Sequence, residues 1–450
     1  MSHDDIAATV RDLMPGVLAD LEELISYPSI AFPGYPAEPV EKMAERTLEL
    51  VREAGFSDAH LADVPWGYPP IYGEIPGPEG SPTVVLYAHY DVQPASAAQG
   101  WTTDPFVATR KDDGRIYGRG AADDKSGIVT HLGTLRALAA LGEEPPCTLR
   151  IILEGMEETE SNLEEFVEAH PELFQCDVFV IADMGNLRVG EPVLTTALRG
   201  DVSCTVKVST LEHPLHSGVF GGAAPDAMMA LARLLTSLQD DAGNVTVEGV
   251  TGGVWDGGDL GEEGFRAGAD LLPGVSLIGT DRVGDRLWAK PSINAIGVDM
   301  TSIADSSNVI HPTASAKISM RIVPGSDPRA ELDALVRHLE SHAPWGAQVE
   351  VTPMKAAPPF RVPTSGPGYA AARAALEAAY GKAVDEVGSG GSIPLLQTLA
   401  DASPGAEFVL WGPEDTELAR IHASDESVDP AEIEKMIVAQ VLLLKELAAR

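Results

Sequence analysis

Short apolar stretches end, at four separate points of the sequence, close to residues that can bind metal ions or transfer protons. The stretches and the residues that follow them are 83–88 with His89 and Asp91, 149–153 with Glu157 and Glu158, 178–182 with Asp183, and 407–411 with His422 further on. A further acidic pair, Asp123 and Asp124, precedes a segment of helical periodicity. Imidazole and carboxylate groups without thiolates suit Zn²⁺, Mn²⁺ or Co²⁺ better than Ca²⁺. One ion needs only three or four of these ligands, so the surplus suggests two ions that share a carboxylate.

Hydrophobic patterning predicts the elements that must position these residues. The stretch 83–88 is apolar on both faces, as in a strand buried inside a parallel or mixed sheet. Between it and the stretch 149–153, residues 126–141 have helical spacing and end at Gly142. Alternation of strand and helix indicates an open α/β sheet, and ligands bind such sheets beyond the carboxyl ends of the strands. The candidate ligands are therefore expected to meet at one edge of the sheet.

The middle of the sequence has a different pattern. From about residue 196 it reads as strand, helix, strand, strand, helix and strand, with a Gly- and Asp-rich loop at 251–268. This order is typical of a small ferredoxin-like α+β domain. We therefore predict an open mixed or parallel-sheet α/β catalytic domain, residues 1–195 and 356–450, with residues 196–355 inserted as a lid or dimerisation domain.

The composition restricts the class of partner. The chain has 450 residues with 31 Lys and Arg against 68 Asp and Glu, a formal net charge of −37. Nucleic acids and anionic membranes require a basic surface, so neither is expected as a partner. The three cysteines are too few and too scattered for a disulfide framework or a cysteine zinc site. Neither a signal peptide nor an apolar stretch of the ~20 residues needed to span a bilayer is visible, so we expect a cytoplasmic protein.

Several separated segments together resemble the M20 metallopeptidase family. The segments are 89–94 (HYDVQP), 117–127 (YGRGAADDKSG), 154–158 (EGMEE), 215–222 (LHSGVFGG), 320–324 (MRIVP) and 390–394 (GGSIP). Asp183 and His422 fill the two remaining ligand positions of the family pattern. The resemblance covers essentially the whole chain and is strongest to the branch of cytosolic non-specific dipeptidases and carnosinases.

The resemblance implies a role for each residue of the metal centre. Asp123 would bridge two divalent metals, zinc by preference or else manganese or cobalt. The resemblance also implies a cis peptide bond between Asp123 and Asp124. The ligands that complete the two sites would be His89 and Asp183 for one metal, and Glu158 and His422 for the other. Asp91 would hold the His89 ring through its second nitrogen. Glu157 would be the general base for hydrolysis of a peptide amide by a metal-activated water.

The resemblance also implies substrate contacts and an assembly. His216 would stabilise the developing oxyanion, Arg321 would bind the substrate carboxylate, and Asn308 would assist nearby. Ser392 would contact the carboxylate end of the substrate from the glycine-rich loop. The family branch usually has threonine where this sequence has Asn308. A homodimer through the inserted domain is expected, in which His216 acts on the active site of the neighbouring subunit.

Three functions compete on the sequence alone. The first is a dinuclear metal-dependent hydrolase of dipeptides or small peptides. The second is an N-acyl-amino-acid deacylase of the acetylornithine or succinyl-diaminopimelate type, because the same metal centre cleaves both kinds of amide. The third is a catalytically inactive homologue that binds a ligand, which would predict the loss of Glu157 or of a metal ligand. All of these residues are present, so the third function is disfavoured.

Overall fold

The computed structural model describes residues 2–391 and 393–450. The α-helices are α1 (His3–Ile25), α2 (Glu38–Glu53), α3 (Lys125–Ala140), α4 (Leu163–Ala169), α5 (Ser217–Phe220), α6 (Ala227–Thr236), α7 (Gly261–Gly268), α8 (Pro328–Ser341), α9 (Pro367–Tyr380), α10 (Leu395–Ala402) and α11 (Pro430–Ala448). The strands are β1 (His60–Leu61), β2 (Ile71–Ile75), β3 (Thr83–His89), β4 (Thr109–Arg110), β5 (Ile116–Tyr117), β6 (Thr148–Glu154), β7 (Val178–Ile181), β8 (Gly185–Asn186), β9 (Val193–Leu198), β10 (Gly200–Ser209), β11 (Leu215–His216), β12 (Ser292–Asp299), β13 (Val309–Ile310), β14 (Thr313–Ile322), β15 (Gln348–Ala357), β16 (Phe360–Arg361), β17 (Asp385–Ser389), β18 (Glu407–Leu410), β19 (Glu414–Asp415) and β20 (Ser427–Val428).

The six-stranded sheet has the order β1-β2-β6-β3-β7-β18. Strands β6, β3, β7 and β18 are parallel to one another, while β2 runs antiparallel to β6. The central strand β3 is buried along almost its whole length, as its unbroken apolar pattern predicts. The four parallel strands are those that carry the candidate ligands, so their carboxyl ends lie at one edge of the sheet.

A layer of helices covers this sheet. Helices α1, α3, α9 and α11 pack on one another, with α3 against β3 and α9 against β18. Helices α3 and α11 approach closely because residue 133 is glycine: a Cβ there would lie 2.5 Å from Cδ1 of Ile437. The side chain of Asp429 caps the start of α11, and Pro430 occupies its first turn. This layer holds the helix that begins at Lys125 directly behind the acidic pair 123–124.

The second sheet is antiparallel, with the order β12-β14-β10-β15. Helices α6 and α8 pack against it and share one apolar core with it. The chain order β10-α6-β12-β14-α8-β15 and this strand order are those of a ferredoxin-like domain. The predicted fold class, an open α/β sheet with an inserted α+β domain, is therefore confirmed.

The segment between α6 and β12 is longer than a ferredoxin-like domain requires, and part of it is helical. Helix α7 lies within the stretch 251–268 that the glycine and aspartate content predicts to be a loop. Trp255 and Trp288, which flank α7 in the chain, form a small apolar core with residues of β9 and β17. The segment therefore packs on the three-stranded sheet β16-β9-β17. Strand β9 of this sheet is followed almost directly in the chain by β10 of the inserted domain. Such contacts between distant segments cannot be read from local patterning.

None of the helices in the described residues is both long enough and apolar enough to cross a membrane.

Candidate metal centre

The carboxyl ends of the parallel strands bring the candidate ligands together. His89 is the last residue of β3, Asp183 follows β7, and Glu157 and Glu158 lie in the loop after β6. Two groups of side chains offer ligand atoms that all lie within 4.8 Å of one another. The groups are His89 with Asp124 and Asp183, and Asp123 with Glu158 and His422.

Asp123 lies between the two histidines. Its Oδ1 lies 2.9 Å from Nε2 of His89, and its Oδ2 lies 3.0 Å from Nε2 of His422. Nε2 of His422 is also 3.1 Å from Oε2 of Glu158, and Nε2 of His89 is 3.7 Å from Oδ1 of Asp183. Each oxygen of one carboxylate therefore faces a different histidine. The peptide bond between Asp123 and the following residue is cis, as the resemblance implies.

The donor set fits divalent cations. Two imidazole nitrogens and several carboxylates converge in a largely buried space, where the carboxylates outnumber the cationic side chains. The nearest lysine in the sequence, Lys125, directs its Nζ away to the carbonyl oxygens of Leu24 and Tyr27. Buried carboxylates that lack cationic partners are costly unless they are protonated or bind a metal. Mixed imidazole and carboxylate ligation is typical of zinc and neighbouring transition metals.

Asp91 is fully buried next to the candidate ligands and supports them through hydrogen bonds. Nδ1 of His89 lies 3.1 Å from the backbone oxygen of Asp91 and 3.5 Å from its Oδ1. The same carboxylate accepts hydrogen bonds from the backbone N–H groups of Glu157 and Glu158, both at 3.1 Å. Asp91 thus contacts the histidine of one group and fixes the loop that carries both glutamates.

Glu426 is a buried residue of the centre that the motifs do not reveal. Its carboxylate accepts hydrogen bonds from the backbone N–H groups of Gly120, Ala122 and Asp123 at 2.9–3.1 Å, and from Nη1 of Arg119 at 2.6 Å. It therefore clamps the turn that presents Asp123. Because it lies only four residues after His422, this one side chain links the loops that carry two candidate ligands.

Two further polar residues line the ligands. Nε2 of Gln93 donates a hydrogen bond of 2.6 Å to Oε2 of Glu158, the oxygen that also faces His422. Asp124 accepts a hydrogen bond from the backbone N–H of His89 and caps α3 through Gly127. Both residues lie within segments that resemble the family motifs, but sequence spacing alone does not predict these contacts.

The pKa of Glu157 is set by its burial and by the charges around it. Burial, together with the negative charges of Asp183 and Glu158, raises the pKa of the Glu157 carboxyl well above its usual range. A bound cation acts in the opposite direction, because it stabilises the ionised form. The pKa of this carboxyl would therefore respond strongly to metal binding.

His216, Asn308 and Arg321 belong to neither of these two groups. His216 and Asn308 are neighbours in the inserted domain, where β11 pairs with β13 and the backbone oxygen of Asn308 accepts a hydrogen bond from Ser217. His216 is exposed, and its Nδ1 accepts a hydrogen bond from the backbone N–H of Gly218. Arg321 lies on β14, opposite Asp201 of β10. Ser392 lies outside the described residues.

Comparisons with known proteins agree with the site. The sequence profile of peptidase family M20/M25/M40 matches residues 85–446. The chain is 40% identical to a cysteinylglycine-S-conjugate dipeptidase of Corynebacterium striatum over 99% of both chains. It is 31% identical to the Cys-Gly metallodipeptidase dug1 of Schizosaccharomyces pombe, covering 88% of this chain and 89% of that one.

Solved structures share the whole fold. The crystal structure of human carnosine dipeptidase 1 superposes with a TM-score of 0.84 at 26% identity, covering 100% of this chain and 99% of that one. The dipeptidase Dug1p of Saccharomyces cerevisiae superposes with a TM-score of 0.85 at 24% identity, covering all of both chains. Together with the family match over residues 85–446, these likenesses identify the chain as a metallopeptidase that belongs to peptidase family M20/M25/M40.

Proposed function

We propose that this protein is a dipeptidase that hydrolyses its substrate at a centre of two divalent metal ions. The observation that carries the proposal is the position of Asp123, whose two carboxylate oxygens each face a different histidine. A carboxylate in this position can bridge two metals. Relatives named as dipeptidases, 40% and 31% identical to this chain, support the choice of substrate.

His89, Asp183 and one oxygen of Asp123 would hold the first metal. Glu158, His422 and the other oxygen of Asp123 would hold the second. The mixture of imidazole and carboxylate favours zinc, with manganese or cobalt as alternatives. When bound, the two ions supply Lewis acidity, which polarises the peptide carbonyl and makes water nucleophilic at neutral pH.

Glu157 would act as the general base and then as the general acid. Its carboxylate takes a proton from the attacking water and returns it to the nitrogen of the leaving amino acid. A carboxylate that is a metal ligand cannot exchange protons freely, so the adjacent Glu158 would serve as ligand while Glu157 moves protons. Asp91 accepts hydrogen bonds from the backbone N–H groups of both glutamates and so fixes the loop that carries them.

The substrate carboxylate would bind Arg321 through its planar guanidinium, with Ser392 at the same end. His216 would donate to the developing oxyanion, with Asn308 beside it. The second candidate function, N-acyl-amino-acid deacylation, is not favoured, because the named relatives are dipeptidases.

The test is a substrate panel with the zinc-, manganese- and cobalt-loaded protein. Cys-Gly, β-Ala-His and other dipeptides would be compared with N-acetyl-ornithine and N-succinyl-diaminopimelate, with release of the free amino acid followed by chromatography. We expect kcat/KM for the dipeptides to be at least a hundredfold higher than kcat/KM for the two N-acyl amino acids. Faster cleavage of the N-acyl amino acids would overturn the choice of substrate but not the metal chemistry.

A homodimer through the inserted domain forms part of the proposal. Strand β12 is an edge strand with exposed apolar side chains, Ile296 at 56% and Val298 at 49%. On helix α6, which packs against β14 and β10 of the same sheet, Met228 and Met229 are also exposed. An exposed apolar edge is suited to pairing with a second copy across a two-fold axis.

Because His216 is exposed, we can test whether it acts on the active site of the neighbouring subunit. An inactive His216→Ala protein and an inactive Glu157→Gln protein would be mixed under conditions of subunit exchange. If His216 acts across the dimer, each mixed dimer has one site with both lesions and one site with neither. Random exchange then restores roughly a quarter of the wild-type specific activity.

Differently tagged subunits that are purified together would show that mixed dimers have formed. A lack of recovery in these purified mixed dimers would mean that His216 serves its own subunit or no active site at all.

A further inference from the structure

A large cavity is lined by the segment between α6 and β12, by the start of β12, and by Arg199 just before β10. Its volume is about 730 Å³, a size typical of sites for small organic ligands. Helix α7 contributes Phe265 to the wall, so we call it the α7 cavity. None of the residues in the two ligand groups of the metal centre lines it. The α7 cavity is therefore a second concave site with a wall of its own.

Most of the wall of the α7 cavity is apolar. The apolar residues include Val250, Phe265, Leu277, Ile278, Leu287 and Ile293. The side chain of Ile278 is 63% exposed, so water reaches part of this wall. Removing apolar surface from water is favourable, and a ligand that covers these side chains would gain this free energy. The wall therefore favours a ligand with an apolar body.

The charged residues of the same wall are all cationic. They are Arg199, Arg286 and Lys290, and no aspartate or glutamate of the described residues lines the cavity. The chain as a whole has the opposite balance, with 68 Asp and Glu against 31 Lys and Arg. Lys290 pairs with Asp281, but neither arginine forms an ion pair with a carboxylate in the described parts of the chain. The wall therefore favours a ligand that carries negative charge.

Both arginines have a hydrogen-bond donor that is not used. Arg199 is only 9% exposed, and burial lowers the pKa of its guanidinium to about 10, so the group stays charged at neutral pH. Its Nη1 donates a hydrogen bond of 3.0 Å to Oγ of Ser292, whereas its buried Nε has no partner within residues 2–391 and 393–450. Nε of Arg286 is also buried without a partner in these residues. Because a buried donor without an acceptor is unfavourable, an acceptor on a ligand would stabilise both groups.

From this combination we infer that the α7 cavity is a binding site for a small amphipathic carboxylate, whose apolar body contacts the wall at Phe265 and Ile278 and whose negative head binds the arginines of the cavity. A carboxylate fits because guanidinium groups present their N–H donors in a planar fork. The site is separate from the metal centre, and its existence does not depend on the proposed dipeptidase function.

The test is calorimetry of the metal-loaded protein with octanoate, which combines an eight-carbon apolar body with one carboxylate. We expect one equivalent of octanoate to bind. Octanol lacks the charge and acetate lacks the apolar body, so each should bind at least tenfold more weakly than octanoate. These two compounds separate the contribution of the cationic residues from that of the apolar wall.

Three variants test the location of the site. Ile278→Glu places a negative charge in the apolar wall at an exposed side chain, so folding should be retained and the Kd for octanoate should rise at least tenfold. Leu272→Glu is the matched control, because Leu272 is 72% exposed on the same segment but does not line the cavity. Its Kd should equal that of the wild type. Arg199→Gln should also raise the Kd for octanoate at least tenfold while leaving the Kd for octanol unchanged.

Two further measurements separate this site from the metal centre, where a carboxylate could also bind a metal ion. The Asp123→Asn protein, which loses the carboxylate shared between the ligand groups, should bind octanoate as tightly as the wild type. Amide hydrogen exchange in residues 271–287 should slow when octanoate binds, because this stretch supplies much of the wall. Exchange in the segment 89–94 should not change.

The absence of saturable octanoate binding below about 1 mM would overturn the inference. Equal weakening by Ile278→Glu and Leu272→Glu would show that added charge, and not the cavity, controls binding. Equal affinities for octanoate and octanol would mean that the arginines do not bind the head group. Loss of binding in the Asp123→Asn protein would place the octanoate at the metal centre, so each of these results contradicts a separate anion site in the α7 cavity.

Discussion

Replacing Glu157 with glutamine is expected to reduce turnover by about 10²–10⁴-fold while the protein keeps its fold and its metals. The amide has nearly the same shape as the carboxylate but cannot accept a proton from the attacking water. The backbone N–H of residue 157, which donates to Asp91, is unaffected by the change. Because the lesion is confined to proton transfer, kcat should fall much more than KM changes.

The measurement is steady-state kinetics on a dipeptide, with metal content determined by mass spectrometry and folding by circular dichroism. Glu160→Gln is the matched control, because Glu160 is an exposed residue of the same loop. The control should retain wild-type turnover. If the Glu157→Gln protein kept more than about a tenth of wild-type turnover at full metal occupancy, Glu157 could not be the principal base.

The sequence predicts the sheet and the position of the ligands because both depend on local pattern. Strands such as β3 are apolar on both faces, so they must lie inside a sheet, and residues at their ends must lie at its edge. The helical periodicity of 126–141 agrees with α3 to within one residue at each end. The order of elements, strand, helix, strand, strand, helix and strand, is enough to predict the ferredoxin-like fold of the inserted domain.

The parts that could not be predicted depend on contacts between distant segments. Glu426 clamps the turn at Asp123 from about 300 residues away, and its acidic side chain has no local pattern that distinguishes it from a surface residue. Helix α7 is similar, because its glycine-rich segment becomes ordered against β9 and β17 through the two tryptophans that flank it. Arg199 belongs to none of the motifs, and only the structure shows that it is buried just before β10.

Asp123→Asn is expected to abolish activity by weakening both metal sites at once. The two oxygens of Asp123 lie 2.9 Å and 3.0 Å from the ring nitrogens of His89 and His422. Asparagine loses the negative charge, and its NH₂ group cannot replace an oxygen as a metal ligand. One substitution should therefore affect two ions, whereas His89→Ala or His422→Ala should mainly affect one.

The test is metal titration by calorimetry, together with metal content after dialysis against a weak chelator. Wild-type protein should retain two equivalents of zinc, and the Asp123→Asn protein should retain fewer than two and show no measurable hydrolysis. Asp112→Asn, the same change at an exposed aspartate of a nearby turn, should behave as wild type. Removing the metal ions from the wild-type protein with a strong chelator should also abolish hydrolysis. Zn²⁺, Mn²⁺ or Co²⁺ should restore the activity, whereas Ca²⁺ should not, because Ca²⁺ prefers oxygen ligands. Two equivalents of tightly bound zinc in the Asp123→Asn protein would show that Asp123 is not shared between the sites, since a bridging ligand cannot be lost without cost to both ions.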